Sequence, residues 1–264
     1  MKIRNTICTL AFLTVGKLAA QEPSYTNKIG IQFVLIKPGS MIVGKFQPTV
    51  SRVGFDGKPF PAKMYKKAEQ MAAKDAMPGF RVHINHSYYL GRFEITQEQW
   101  GKVMGSNPSV FKNDSSANHP VENITWANAQ AFIKKLNFLD KDHLYRLPTE
   151  FEWEYAARAG AQDDIPWSEI RTAAVLGGEM PQNVGIKRPN AWGLYDMLGN
   201  VWEWVWDFYN EKIFADPMPA KSGKQHVLKG ASFTGDVKNA TYMTHAGGPG
   251  NGFDIGLRLV MEAK

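Results

Sequence analysis

Two carboxylates lie on either side of a short glycine turn in the part of the chain that is richest in tryptophan. Residues 192–207 contain four of the eight tryptophans, and Asp196 and Glu203 flank Gly199-Asn200. An extended chain over residues 201–206 would place Val201, Glu203 and Val205 on one face and Trp202, Trp204 and Trp206 on the other. Glu203 would then lie deep among aromatic side chains, with these three tryptophans as a shell around the site. Two carboxylates with main-chain carbonyls between them could bind Ca2+, a cation that prefers oxygen ligands.

An ion pair is the alternative role for the same residues. An unpaired buried carboxylate is costly, so Glu203 needs either a cation or several hydrogen-bond donors. Arg258, an arginine inside the apolar, strand-like residues 256–260, is a natural partner. Asp196 would then only cap a turn. Spacing alone favours this ion pair and leaves the calcium site as the second interpretation.

Further polar residues that could do chemistry lie near residues 234–256. Asp236, His245 and Asp254 are the local candidates for a metal site. A non-haem iron site of two histidines and one carboxylate would need a second histidine, and His226 is the nearest in sequence. The spacing gives no support for such a set. We therefore interpret these residues as ordinary loop residues, with an open iron site as the alternative.

The single cysteine, Cys8, lies in a predicted signal peptide. Residues 1–20 combine an early pair of basic residues, an apolar stretch over residues 7–15 and a small-residue exit ending at Ala20. That apolar stretch is too short to span a bilayer. We expect cleavage after Ala20 and a periplasmic or secreted protein with no integral membrane segment. The mature chain would then have no disulfide, no thiolate nucleophile and no cysteine metal site.

Composition limits the classes of function. The chain has 264 residues, 44% of them hydrophobic, which is enough for one large core or two small ones. Residues 1–20 hold three of the 31 basic residues and none of the 25 acidic ones, so the remainder has a net charge of +3. That mild charge, without a run of Lys and Arg, argues against a nucleic-acid partner. The 24 glycines and 15 prolines predict many turns and little long helix.

Short strands and a few helices are predicted around these residues. Residues 29–43 read as a hairpin that turns at Pro38-Gly39, and residues 81–96 read as a pair of strands around Gly91. Helix starts follow from capping residues and helical spacing of apolar residues. The predicted helices begin after Thr96 and end before Gly105, run from Ala127 to Leu139 behind Thr125, and follow Thr149, with Glu152 completing a capping box.

The sequence blocks around the turn resemble a known family. Residues 193–204 read GLYDMLGNVWEW, residues 146–158 read RLPTEFEWEYAAR, and the blocks 230–233 and 256–258 follow in register. Their order and spacing resemble the formylglycine-generating enzyme family, the sulfatase-modifying-factor domain, over about residues 29–262. The resemblance implies an α+β fold related to C-type lectins. Such a fold has little regular secondary structure, with mixed short strands and two or three helices.

Residues 48–80 are an insertion relative to that family. Residues 62–76 have helix-forming composition, and an apolar stripe of methionine and alanine lies near one side. We interpret this segment as a surface helix that packs through the stripe of Met64, Ala68, Met71 and Ala72. The alternative is an added element that contacts a partner or covers the groove of the domain.

The resemblance also predicts which activity is missing. Enzymes of the family oxidise a substrate cysteine to formylglycine with two active-site cysteines that bind copper(I). The corresponding positions here hold Gly235 and Ala240, which cannot bind copper, whereas Ser232 matches the family's serine beside them. We therefore expect no cysteine-dependent copper oxidase. Ser232, Asp236 and His245 remain as candidate residues of the groove.

The same resemblance assigns a calcium site. It carries over Asp196 and Glu203 as side-chain ligands, with the main-chain carbonyls of Gly199 and Val201, and water would complete the coordination. Residues 163–189 show no match to a further calcium site that the family commonly has. Two functional hypotheses follow. The first is an exported, calcium-stabilised accessory module that binds a peptide or protein in its groove, and the second is an oxidase that uses iron or copper without cysteines.

Overall fold

The computed structural model describes residues 24–46, 52, 58–59, 61–75, 77–113, 115–215 and 218–263. The predicted signal peptide lies outside these residues. The strands are β1 (Ser24–Thr26), β2 (Gln32–Ile36), β3 (Gly39–Phe46), β4 (Met77–Ile84), β5 (Tyr88–Gly91), β6 (Tyr145–Arg146), β7 (Trp202–Phe208), β8 (His226–Lys229), β9 (His245–Gly247), β10 (Ile255–Leu257) and β11 (Val260–Glu262). The helices are α1 (Ala62–Asp75), α2 (Gln97–Met104), α3 (Trp126–Leu139), α4 (Glu150–Arg158) and α5 (Ile170–Ala173).

Two larger sheets form most of the domain, and a third sheet has only two strands. The first sheet is antiparallel with strand order β1-β2-β5-β11-β6, and the second has the order β10-β7-β8-β9 with a parallel β10–β7 pair. Strands β3 and β4 form a two-stranded sheet of their own. Short mixed strands with few helices confirm the predicted α+β class. Within the described residues, no helix combines the length and apolar composition that crossing a bilayer requires.

Both predicted strand pairings are wrong. The chain does not fold back at Pro38-Gly39, because β2 pairs with β1 and β5 whereas β3 pairs with β4. Nor do β4 and β5 pair with each other, and Gly91 is the last residue of β5 rather than the centre of a turn. Alternating apolar residues identified the strands correctly. They carry no information about which distant strand is the partner.

The apolar stripe predicted on α1 is also wrong in part. Met64 and Met71 are 59% and 58% exposed, and the half-buried positions are Tyr65 and Ala68. The tyrosine hydroxyl accepts a hydrogen bond from Arg52 Nε at 3.4 Å, and the Arg52 guanidinium lies 5.1 Å from the ring centre. The helix therefore packs through the neighbouring face, which carries its largest side chain.

Strand β7 separates two apolar clusters and sets the direction of the site residues. Val205 belongs to the cluster around Trp153, and Trp204 belongs to the cluster around Phe132. Because side chains alternate along a strand, Glu203 lies on the Val205 side, as predicted. Trp206, predicted to shield the site, is 52% exposed instead. The aromatic ring that contacts Glu203 belongs to α4 and not to β7.

The predicted helix starts are confirmed in atomic detail. Thr96, Thr125 and Thr149 each accept a hydrogen bond from the backbone N–H three residues on, and the residue there bonds back to the cap. Helix α2 ends at Gly105, whose φ of 77° is the left-handed conformation that glycine adopts most easily. These local signals place α4, and with it Trp153 and Glu150, against the second sheet.

Removing one cap should have a measurable cost. We expect Thr125→Ala to lower the free energy of unfolding by about 1 kcal/mol, because the Asn128 N–H loses its acceptor at the start of α3. Urea denaturation followed by circular dichroism measures this change. Thr125→Ser keeps the oxygen and serves as the control, so an equal loss in both variants would rule out the cap as the cause.

Candidate functional site

The buried pair of Glu203 and Arg258 is the centre of the site. Arg258 Nη2 donates to Glu203 Oε1 at 2.8 Å, and Arg258 Nε lies 3.1 and 3.0 Å from Oε1 and Oε2. Trp153 Nε1 donates to Oε2 at 2.7 Å. Arg258 follows β10 directly, and both charged side chains are almost completely buried. The ion pair predicted from the sequence is therefore confirmed.

Arg258 also bonds backbone carbonyls of two further segments. Its Nη1 donates to the carbonyl oxygens of Gly91 and Arg92 at 2.9 and 3.1 Å. Its Nη2 donates to the carbonyl of Tyr195 at 2.8 Å. Every nitrogen of the guanidinium thus has at least one partner. The side chain connects the end of β5, the loop before β7 and the strand β7 itself.

A second buried carboxylate, Glu94, lies beside this pair. Asn200 Nδ2 donates to Glu94 Oε2 at 2.7 Å, and the backbone N–H of Val201 donates to Oε1 at 3.1 Å. Burial raises the pKa of Glu94 well above its ordinary value, and the charges of Asp196 and Glu203 raise it further. The sequence analysis missed Glu94, although it lies in the segment between β5 and α2, directly before Ile95-Thr96.

Asp196 is the third carboxylate of the cluster. Its Oδ2 accepts a hydrogen bond from the backbone N–H of Gly185 at 2.7 Å, whereas its Oδ1 is buried and has no hydrogen-bond partner among the described residues. Burial raises the pKa of Asp196 to about 6, and the charge of Glu203 adds to that rise. Asp196 also borders a mainly apolar cavity of about 510 Å³. We infer that this oxygen is the atom of the cluster most available to a ligand.

The turn between Asp196 and Glu203 has an unusual backbone. Asp196, Gly199 and Asn200 have φ values of 53°, 80° and 59°, all in the left-handed region. A Cβ atom on Gly199 would lie 2.3 Å from the carbonyl oxygen of Val175, so only glycine fits there. Asn tolerates this conformation better than most residues, and its amide here bonds both Glu94 and the Gln182 backbone. The turn therefore fixes Asp196 and Asn200 around the carboxylates.

The cluster holds more negative than positive charge. Glu94, Asp196 and Glu203 are all buried, and Arg258 is the guanidinium that offsets them. Burial disfavours unbalanced charge, so the cluster must take up protons or a cation. Within the described residues, no group of three or more His, Cys, Asp or Glu side chains is arranged to hold a metal ion. A cation here would therefore need carbonyl oxygens as well as carboxylates.

The structure gives each of the three groove candidates a different partner. Ser232 Oγ donates to Asp254 Oδ2 at 2.7 Å. Asp236 accepts from the Lys238 N–H at 3.3 Å and caps the short helical turn over residues 237–239. His245 contacts Glu150 on α4. Asp236, His245 and Asp254, the candidates for an iron site, thus belong to separate sets of contacts.

The positions predicted to replace the cysteine pair are tightly packed. Gly235 donates its N–H to the Ser232 carbonyl at 2.9 Å and accepts from the Gly177 N–H at 3.1 Å. Ala240 is buried in the cluster around Trp153. Neither residue has a side chain that binds a metal. The segment keeps its turn next to Ser232 through backbone hydrogen bonds.

Comparison with known proteins identifies the family. Residues 20–263 match the sulfatase-modifying factor enzyme 1-like domain. The chain belongs to this family. The resemblance predicted from the tryptophan-rich block and its companions is therefore confirmed over nearly the full sequence. Fold and family together do not settle activity, because one fold carries many functions.

Several relatives within the family are similar in sequence. A chaperone protein LppX of Paenibacillus barcinonensis is 28% identical over 236 residues, which cover 66% of this chain and 79% of that protein. The formylglycine-generating enzyme of Mus musculus is 32% identical over 158 residues, or 51% of this chain and 40% of the enzyme. The enzyme of Streptomyces coelicolor is 31% identical over 163 residues, or 51% and 50%. The chain thus matches half or less of the length of these two enzymes.

Two solved structures share the fold. Variable protein 1 of Treponema denticola superposes with a TM-score of 0.69 at 24% identity, covering 91% of this chain and 99% of that one. PvdO from Pseudomonas aeruginosa superposes with a TM-score of 0.72 at 19% identity, covering 92% and 99%. At these identities the likeness shows the fold alone. It places β7, α4 and the turn between Asp196 and Glu203 in a fold that other proteins share.

Proposed function

We propose that this protein is an accessory module of its family that binds a peptide or another protein in its groove and does not act as a cysteine-dependent copper oxidase. The observation that carries this proposal is the absence of any cysteine from residues 9–264. Copper(I) catalysis of the family type needs soft thiolate ligands. The relative named as a chaperone protein is consistent with an accessory role.

The proposed groove lies at the edge of the second sheet. It has a volume of about 570 Å³ and is lined by apolar side chains that include Trp202, Phe214 and Met243. His245, Lys238 and two threonines add polar groups. Clefts with mostly apolar walls and a few polar groups are typical of binding sites.

We further propose that the protein is exported after cleavage behind Ala20. N-terminal sequencing of exported protein that returned Met1 would contradict this.

A direct assay tests the proposed lack of oxidase activity. We expect a peptide with the pattern Cys-x-Pro-x-Arg to keep its mass when incubated with this protein, copper(I) and oxygen. The reason is that Gly235 and Ala240 stand where the family's cysteines are expected. Mass spectrometry reads the result, and a copper-loaded formylglycine-generating enzyme is the positive control. Conversion of the thiol to an aldehyde by this protein would disprove the proposal.

Calcium is the proposed stabilising ion. Asp196 and Glu203 would be its side-chain ligands, with the carbonyls of Gly199 and Val201. The unpartnered Oδ1 of Asp196 and the surplus negative charge of the cluster support a cation. Glu203 already bonds Arg258 and Trp153, so it would share its oxygens with the ion. A hard cation with oxygen ligands suits this set.

Removing calcium should lower stability. At about a hundred times its dissociation constant, an ion that binds only the folded state adds roughly 2.7 kcal/mol. For a domain of this size, we expect EDTA to lower Tm by about 5 to 10 °C. Asp196→Asn should abolish the difference between calcium and EDTA. Glu122→Gln, which alters a buried carboxylate bonded to the backbone of Val110 and Phe111, should keep that difference.

If the protein has the same Tm in calcium and in EDTA, the calcium proposal is wrong. The same samples also test an oxidase that uses iron or copper through nitrogen and oxygen ligands. Elemental analysis of purified protein should then find one equivalent of iron or copper. Calcium alone supports the accessory module, and stoichiometric iron or copper supports the oxidase.

A further inference from the structure

A buried atom of His245, which lines the groove, and a buried atom of Glu150 lie opposite each other without a hydrogen bond. Nδ1 of His245 lies 3.0 Å from Oε1 of Glu150, and neither atom has a hydrogen-bond partner among the described residues. Glu150 is 4% exposed. The distance between the two atoms is that of an ion pair, but the two groups are not oriented for a hydrogen bond. A small rotation of the imidazole would complete it.

This contact is the end of a chain of charged side chains that crosses the core. Arg158 donates to Glu154 Oε1 at 2.9 and 2.8 Å, and Lys229 Nζ donates to Glu154 Oε2 at 3.2 Å. The Lys229 ammonium also lies 3.8 Å from Glu150 Oε1, the atom that faces His245. Positive and negative groups alternate along the chain. It begins beside the cavity that Arg158 borders and ends in the groove.

Carboxylates outnumber permanent cations in the surroundings of His245. Asp207 belongs to the set as well, because its Oδ2 accepts from the Glu150 backbone N–H at 2.6 Å. Glu150, Glu154 and Asp207 are three carboxylates, and Lys229 and Arg158 are two permanent cations. Buried charges are stable when they are paired. Burial also raises the pKa of Asp207, so the carboxylates beside His245 favour added positive charge.

The other histidines that contact carboxylates differ from His245. His86 contacts Glu152, which already bonds both terminal nitrogens of Arg146. His143 contacts Asp140, whose Oδ2 also accepts from the Tyr145 hydroxyl at 2.6 Å. In both cases another strong donor satisfies the carboxylate.

At Glu150, by contrast, the histidine is the nearest side-chain donor, and the Lys229 ammonium is the more distant one at 3.8 Å.

His245 lies between aromatic rings and faces the groove. Its ring is 5.1 Å from that of Tyr209 and 4.8 Å from that of Phe214. His245 lines the groove, and with Nδ1 against Glu150 we infer that Nε2 is the ring nitrogen that faces it. Lys238 lines the same groove. The groove therefore presents an imidazole and an ammonium group among apolar walls.

We propose that His245, held by Glu150, is an anchor in the groove for the carboxylate of an acidic peptide side chain. The proposal rests on the peptide-binding function above and names the chemistry of the bound segment. Nε2 of the protonated imidazole would donate to the carboxylate, and Lys238 would add attraction. Trp202, Phe214 and Met243 would contact apolar residues next to the acidic one. The contact with Glu150 fixes the orientation of the imidazole.

A matched pair of peptides tests this anchor. The probes are Ser-Phe-Glu-Phe-Ser, acetylated and amidated at its ends, and the same peptide with glutamine at the centre. NMR titration follows the methyl signal of Met243 for occupancy of the groove and the ring signals of His245 for direct contact. We expect the glutamate peptide to bind about fivefold more tightly, the upper range for an ion pair that solvent can reach.

Variants assign the preference to the proposed residues. His245→Gln should lose most of the preference, with Lys238 accounting for the remainder, and Glu150→Gln should reduce the preference. His226→Gln is the matched control, because His226 bonds the Trp206 carbonyl through Nδ1, stacks on Trp126 and has no carboxylate partner among the described residues. That control should keep the fivefold preference. An undiminished fivefold preference in His245→Gln would overturn the anchor.

The remaining outcomes separate the anchor from the general function. If both peptides bind the wild-type protein equally, the anchor is wrong and peptide binding stands. If neither peptide shifts the Met243 signal, the anchor is wrong, and the groove itself loses its support as a peptide site. A glutamate preference that is mostly lost with His245 supports both.

Discussion

Replacing Arg258 by methionine should lower the free energy of unfolding by about 3 to 5 kcal/mol. The substitution leaves Glu203 buried with Trp153 as its remaining side-chain donor and removes the donors to the carbonyls of Gly91 and Tyr195. A charge left unpaired in the core costs more than the ion pair itself contributes. Urea denaturation in EDTA measures the loss without interference from a bound cation.

Two control variants separate the buried charge from other effects. Lys28→Met removes an ion pair with Asp142 whose side chains are both largely exposed, and it should cost less than about 1 kcal/mol. Glu203→Gln combined with Arg258→Met removes the unpaired charge and should recover part of the loss. If the double variant is no more stable than Arg258→Met alone, the explanation by an unpaired carboxylate fails.

Lys229→Met should have an effect of similar size, again on the order of 3 kcal/mol. Lys229 is fully buried, donates to Glu154 and lies between the rings of Trp153 and Phe214 at 5.6 and 5.5 Å. Methionine fills most of the volume but leaves two carboxylates, Glu150 and Glu154, facing each other without the cation between them. Thermal and urea denaturation give the change in stability.

The comparison for this variant is an exposed lysine with a similar partner. Lys102 pairs with Glu98 one turn away on α2 at 3.0 Å, and both side chains are about half exposed. Lys102→Met should change stability by no more than a few tenths of a kcal/mol. A loss of that small size for Lys229→Met would mean that the buried carboxylates are neutral in the folded protein.

Local signals predicted the helices well and the strand partners badly. The capping boxes at Thr96, Thr125 and Thr149 depend on residues three positions apart, so sequence alone identifies them. Strand pairing depends on residues far apart in the chain. Phe33 pairs with Gly91, whereas the predicted hairpin kept the partners within residues 29–43. Short apolar strands do not encode such partners, because many registers bury similar area.

The candidate site was predicted only in part, because some of its contacts also join residues far apart in the chain. A carboxylate within an apolar strand needs a cation, and the arginine in the block Gly256-Leu257-Arg258 was the evident one. Glu94 and Lys229 were missed, although each sits in a recognisable block. Their neighbours in the chain did not reveal that Glu94 would meet Asn200 or that Lys229 would meet Glu154. Those contacts follow from how the two sheets pack.

The placement of the last two strands has a consequence for how this protein folds. Strand β11 lies between β5 and β6 in the first sheet, and β10 pairs with β7 in the second. Val260 pairs with Leu90, so this contact closes a loop of about 170 residues. Contacts of such long range slow folding. Until residues 255–262 leave the ribosome, both sheets lack a strand and expose open edges, so we expect folding to be slow and cooperative and to come after synthesis of the whole domain.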